Sequence, residues 1–181
     1  KEEQRGFAAT RQQERAKECT QSALICQYYD NRGDEFESSF EAILSHLNIQ
    51  FEKLDSGQKQ GAPDYLIHLA ESQPIVVELK SRQGNNLVDH NKATEVISAA
   101  LIHGFGENPC VTLCHPGVDP SVPSAITACG KLCVIESHDL GEALLRLCEG
   151  RITQQQLWQW MTTPGQALTS DIPYTDFSSS N

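Results

Sequence analysis

Asp64, Glu78 and Lys80 have the types and spacing to bind a divalent metal and to manage an attacking water. Asp64 follows Pro63 and opens the apolar run Tyr65 to Leu69. Glu78 and Lys80 close a second apolar run that begins at Ile75. The polar stretch Glu71-Ser72-Gln73 between the runs predicts a hairpin. Side chains alternate along a strand, so Glu78 and Lys80 project from one face. With the turn centred near Ser72, Asp64 lies opposite Lys80 and diagonal to Glu78, within ~5–8 Å. Two carboxylates at a sheet end make the hard oxygen site that Mg²⁺ favours, with waters and phosphate oxygens completing it. An ion there lowers the pKa of bound water and neutralises phosphate charge. Lys80 beside it positions the nucleophile or stabilises the added negative charge of the transition state. The chemistry implied is metal-dependent hydrolysis of a phosphodiester. A plainer reading, an exposed strand end with one salt bridge, fits the same three residues. Pro63 before Asp64, and charges placed where Val76-Val77-Glu78-Leu79-Lys80 leaves the core, favour the first reading.

The elements around these residues follow from pattern. Residues 33 to 47 read as a helix with Phe36, Phe40, Ile43, Leu44 and Leu47 on one face. Glu37 and Glu41 lie one turn apart and flank that face. Ile49 to Leu54 alternates as a first strand, and residues 55 to 61 form a flexible loop into Asp64. Beyond a polar loop, a helix from about His90 to His103 turns Val96, Ile97, Ala100 and Leu101 inward. Val111 to Leu113 and Leu132 to Ile135 read as strands. Ser124 to Cys129 reads as a short helix, Asp139 to Cys148 as an amphipathic one, and Arg151 to Met161 as another, carrying Trp158 and Trp160. The tail from Thr162 to Asn181 reads as irregular. Residues 1 to about 30 read as polar helix that packs on the core or leads to an upstream domain. The alternation of helix and strand specifies an α/β fold.

On these residues the chain resembles the PD-(D/E)xK nuclease superfamily. The match lies in Pro63-Asp64, in Glu78-Leu79-Lys80, and in a glutamate-bearing helix ahead of the sheet. The Gly33-x-x-Phe36-Glu37 opening looks like Holliday-junction-resolvase and Mrr-type members and favours Glu37 over Glu41. The run Gly61-Ala62-Pro63-Asp64 looks like the VRR-NUC branch. The resemblance spans roughly residues 33 to 147. It implies a restriction-endonuclease-like core, a mixed central β-sheet flanked by helices, and metal-dependent DNA endonuclease activity. Asp64 and Glu78 would hold Mg²⁺ or Mn²⁺, Glu37 would orient or share a metal-bound water, and Lys80 would position the nucleophile. Related nucleases often offer a polar side chain from the first turn of the next helix, where Asn91 and Lys92 stand. The expected organisation is a polar helix or linker over 1–32, a nuclease core over 33–149, and a helix with an irregular tail over 150–181.

Charge bounds the partner. The net charge is −10, against simple DNA binding, which relies on Lys and Arg at phosphates. From Glu52 to Lys92 there are five basic residues against six acids. From Ala93 onward there are three against nine, so positive charge gathers near the candidate site. Lys53, Lys59, Arg82 and Lys92 are the expected DNA contacts, and a homodimer or a fused or partner domain would supply the rest of the grip. The acidity and the paired tryptophans also suit a rival reading, a non-catalytic nuclease-like module for protein contacts. Cys110 to Cys114 spans a strand, too long at ~13 Å for a shared zinc, so buried thiols of a reduced, cytoplasmic protein are expected. The six histidines show no His-x-x-x-His pair. No apolar run has membrane-spanning length, and there is no signal-peptide pattern.

Overall fold

The computed structural model describes residues 2–18, 31–55, 61–127 and 129–173. Helices α1 (Glu2–Glu18) and α2 (Asp34–His46) precede β1 (Gln50–Lys53), β2 (Tyr65–His68) and β3 (Ile75–Ser81). Then come α3 (His90–Ile102), β4 (Cys110–His115), α4 (Val122–Ile126), β5 (Leu132–Glu136), α5 (Ser137–Cys148), α6 (Gln154–Thr162) and β6 (Gly165–Ala167). The strands form one six-stranded mixed sheet in sequence order, antiparallel from β1 to β3 and parallel from β3 to β6.

Alternation along the strands divides the core into two layers. Tyr65, Ile67, Ile75, Val77, Leu79, Val111, Leu113, Cys133 and Ile135 face α2, α5 and α6. Leu66, Val76, Cys110, Cys114, Leu132 and Val134 face α3 and α4. The inner strands β2 to β5 therefore read as nearly continuous apolar sequence, as strands covered on both faces must. Glu78 and Lys80 continue the Val76 face, largely buried, with Glu95 of α3 reaching Lys80 at 3.1 Å. Helix α3 is fixed there by Asp89, whose side chain caps the Lys92 amide at 3.0 Å, and by the Thr112 hydroxyl donating to the Ala93 carbonyl at 2.6 Å.

Two expectations change. Leu101 does not point inward; it is 70% exposed, because α3 buries the stripe Ala93, Val96 and Ala100, and Leu101 falls outside it. The tail is not irregular over its described part. Gly165–Ala167 joins the sheet beside β5, Trp160 donates to the Leu168 carbonyl, and Asp139 accepts from the Thr169 amide. Residues 174–181 of that tail lie outside the described residues. The polar N-terminal helix packs on the core through charge. Arg5 pairs with Glu136 at 2.5 Å, and Arg15 pairs with Glu142 and Glu149 at 2.7 Å each. The second half of that predicted helix, residues 19–30, lies outside the described residues. No helix among the described residues is long and apolar enough to cross a membrane.

Candidate active site

The hairpin of β2 and β3 brings the sequence-selected acids together. Tyr65 pairs with Val77 and Ile67 with Ile75, and continuing this register sets Asp64 opposite Glu78. The expected partner was Lys80, two residues further along. The turn centres on Glu71 rather than Ser72, with Ala70 in the left-handed region at φ 52° and the Ser72 amide donating to the Leu69 carbonyl. A slip of two residues leaves every side chain on its original face, so the convergence survives the altered register. Asp64 Oδ2 accepts the Leu79 amide at 2.6 Å, which fastens the carboxylate to β3.

The two carboxylates are unequal. Glu78 Oε1 accepts from Lys80 Nζ at 2.6 Å, whereas its buried Oε2 has no hydrogen-bond partner among the described residues. Asp64 is pushed up to about 7, first by burial and next by the neighbouring Glu78 charge; Glu37 adds to this, while the Leu79 amide and Lys80 oppose it. A buried carboxylate pair that is short of positive charge is what a divalent cation would relieve. The donor set, hard carboxylate oxygens with one left bare, fits Mg²⁺ or Mn²⁺.

The helix glutamates separate by their partners. Glu41 Oε1 accepts from Tyr65 Oη at 2.8 Å and from Lys53 Nζ at 2.9 Å. Burial raises its pKa, but the Lys53 and Tyr65 bonds outweigh this and leave it below the ordinary glutamate value. Glu37 lies 3.7 Å from Lys53 Nζ and is raised, chiefly by burial. Its charge is felt at Asp64.

One residue at the site escaped the sequence reading. Glu95, in the second turn of α3, places Oε2 3.1 Å from Lys80 Nζ and Oε1 2.7 Å from Lys92 Nζ. The signal was present as an acid three residues after Lys92, but helix rotation relative to the sheet is not written in such a spacing. The other expected phosphate contacts are also paired. Lys53 lies against Glu41 and Glu37, and Arg82 lies 3.4 Å from Asp89. Lys59 lies outside the described residues.

Two other features stand apart from this site. Glu136, His138 and Asp139 bring ligand atoms within 4.8 Å of one another. Glu136 already accepts from Arg5 and the Val118 amide, and Asp139 from the Thr169 amide and hydroxyl, so these acids fasten α1 and the tail rather than standing open. A cavity of about 930 Å³ between α1 and the ends of β4 and β5 is lined by Arg5, Arg32, His115 and His138 among others, but by none of Asp64, Glu78 and Lys80. His115 there is structural, stacked on Phe36 at 4.9 Å and bonded to Ser137. The cysteines Cys110, Cys114 and Cys133 are buried in the sheet, and burial pushes their thiols up, to about 11 for Cys110.

No protein-family profile and no curated protein sequence matches the chain. Among solved structures, the restriction endonuclease FokI is similar, with a TM-score of 0.56 at 11% identity over 82% of this chain. The fold is restriction-endonuclease-like. This chain spans 30% of the FokI chain, and at that identity the likeness carries the fold alone. Within a restriction-endonuclease-like sheet, Asp64, Glu78 and Lys80 occupy the end of the central hairpin, with Glu37 arriving from α2 and Glu95 from α3.

Proposed function

We propose that this chain is a metal-dependent nuclease domain that hydrolyses DNA phosphodiester bonds, as part of a larger DNA-processing or defence protein. The observation that carries the reading is the bare, buried Oε2 of Glu78, the residue set opposite Asp64, whose carboxyl burial and the Glu78 charge push up to about 7. Asp64 and Glu78 would hold Mg²⁺ or Mn²⁺. Such an ion, when bound, supplies Lewis acidity toward the phosphate and lowers the pKa of a bound water. Asp64 is kept in place by the Leu79 amide, so the acid is preorganised rather than recruited. Lys80, charged and held by Glu78 and Glu95, offers an ammonium to the nucleophile or to the phosphate oxygens. Glu37, raised by burial and near enough for its charge to act on Asp64, would orient or share the attacking water. Lys53, Lys59, Arg82 and Lys92 are the proposed backbone contacts, and a second copy or a fused domain adds further grip.

The test is incubation with plasmid and with single-stranded DNA in Mg²⁺ or Mn²⁺, beside a Lys80→Ala control. Cleavage that needs metal and fails in the control supports the reading; cleavage equal in both removes it. One observation favours a second reading, a non-catalytic module for protein contacts: every described lysine and arginine of the expected DNA contacts is already ion-paired. Mg²⁺ titration followed by thermal melting separates the two. A competent site gains stability by ligand linkage and a scaffold does not.

A further inference from the structure

Glu95 holds two lysines with one carboxylate. Oε2 lies 3.1 Å from Lys80 Nζ, and Oε1 accepts from Lys92 Nζ at 2.7 Å. Lys80 also donates to Glu78 at 2.6 Å. The contacts run Glu78–Lys80–Glu95–Lys92, from a site side chain only 13% exposed to a surface one 46% exposed. We propose that Glu95 is the positioning residue for Lys80. It anchors the ammonium from a second element, and a substrate phosphate that draws Lys92 away leaves the whole carboxylate on Lys80. This rests on the nuclease reading and adds to it the group that decides where Lys80 points.

The need for a second anchor follows from the lysine itself. Its ammonium is a compact charge on a flexible four-carbon stem, with three donors and substantial rotamer freedom. Glu78 alone fixes it poorly, because Glu78 is also the proposed metal ligand and a bound cation competes with Lys80 for the same carboxylate. Glu95 approaches from α3, which Thr112 ties to the sheet and which buries Ala93, Val96 and Ala100. The helix that carries the anchor is thus fixed to the sheet. Lys92 sits on the open side, where its pair with Glu95 is partly exposed and weak enough for a nucleic-acid phosphate to take its place. Phosphate arrival and Lys80 alignment are then linked through one side chain.

The test uses Glu95→Gln, Lys92→Ala and the double variant in the full chain, with thermal melting to check the fold. Reductive methylation read by mass spectrometry reports each lysine directly. Lys80 is expected to be modified faster in Glu95→Gln than in the parent. In cleavage assays, Glu95→Gln is expected to lower kcat by ~10- to 100-fold without raising KM, the effect of a misplaced group. Lys92→Ala is expected to raise KM, and in the Glu95→Gln background to leave kcat unchanged. An unaltered Lys80 modification rate, or a Glu95→Gln effect confined to KM, overturns the inference. If the parent protein cleaves no DNA, the nuclease reading fails by itself, and the Lys80 modification rate still decides the role of Glu95.

Discussion

Replacing Asp64 by Asn should stabilise the metal-free protein at alkaline pH and blunt its response to Mg²⁺. Burial and the Glu78 charge raise Asp64 from 3.8 to about 7. A folded value above the unfolded one means that the carboxyl favours the fold in its protonated form. That contribution is complete below the unfolded value and is lost as pH rises through about 7. At about 1.4 kcal/mol per unit, ionised Asp64 costs the metal-free fold roughly 4 kcal/mol above pH 8 and about 1 kcal/mol near pH 4.5. Asparagine keeps an oxygen for the Leu79 amide and carries no charge. Asp64→Asn should therefore melt higher than the parent by up to about 10 °C at pH 8, with the gap narrowing toward pH 4.5. Saturating Mg²⁺ should raise the parent and not the variant, and close most of the gap. The assay is a set of melting curves from pH 4.5 to 8.5, with Mg²⁺ and with chelator. Parallel pH profiles for the two proteins, or equal Mg²⁺ stabilisation of both, would refute the argument that an under-compensated Asp64 is the metal's counterpart.

Three further outcomes are expected. Asp64→Ala and Glu78→Ala should each lower metal-dependent DNA cleavage by at least ~100-fold while the fold persists, checked by activity and circular dichroism; unfolding of both, or full activity in either, contradicts the assignment. Glu37→Gln should reduce cleavage with little change in stability. Glu41→Gln should instead lower stability by about 1–2 kcal/mol through loss of its charged bonds to Tyr65 and Lys53, with a smaller effect on cleavage; a reversed pattern would exchange the two roles. DNA affinity should show a shallow salt dependence of about three or four phosphate contacts per chain, and Arg82→Ala with Lys92→Ala should weaken it further without lowering thermal stability. Tight, salt-insensitive binding unaffected by that pair would move the DNA path elsewhere.

The fold was legible in the sequence wherever one face of an element is apolar and the next residue is not. Phe36, Phe40, Ile43 and Leu44 marked α2, and the run Ile75 to Lys80 marked both the strand and the point where it leaves the core. The placing of Asp64 and Glu78 on one face was legible too, because strand periodicity is fixed at two. Their register was not, since it depends on Ala70 entering the left-handed region, which its residue type does not announce. Strand β6 was hidden for a related reason. Gly165–Ala167 has no strand propensity of its own and is held by β5, by Trp160 and by the Asp139 bonds to Thr169.

The state of the cations was the least legible feature, and it bears most on function. Sequence counts showed lysines and arginines gathered near Asp64, a weak field that still marked Lys53, Lys59, Arg82 and Lys92 as the expected DNA contacts. The folded arrangement sets Lys53 against Glu37 and Glu41, Arg82 against Asp89, and Lys92 against Glu95. These are partly exposed pairs, each worth about 0–1 kcal/mol, weak enough for a phosphate to displace. A site built this way presents little positive field to distant DNA, yet would release its cations one by one if a backbone docked as proposed. On the proposed function, steering would then be weak, and local exchange of one acceptor for another would do the binding. That matches a chain of net charge −10 better than a permanently basic groove would. It also explains why the acids of α2 and α3 cannot be judged singly. Glu37, Glu41 and Glu95 each hold a lysine of the site, and which lysine each one holds depends on how the helices sit against the sheet.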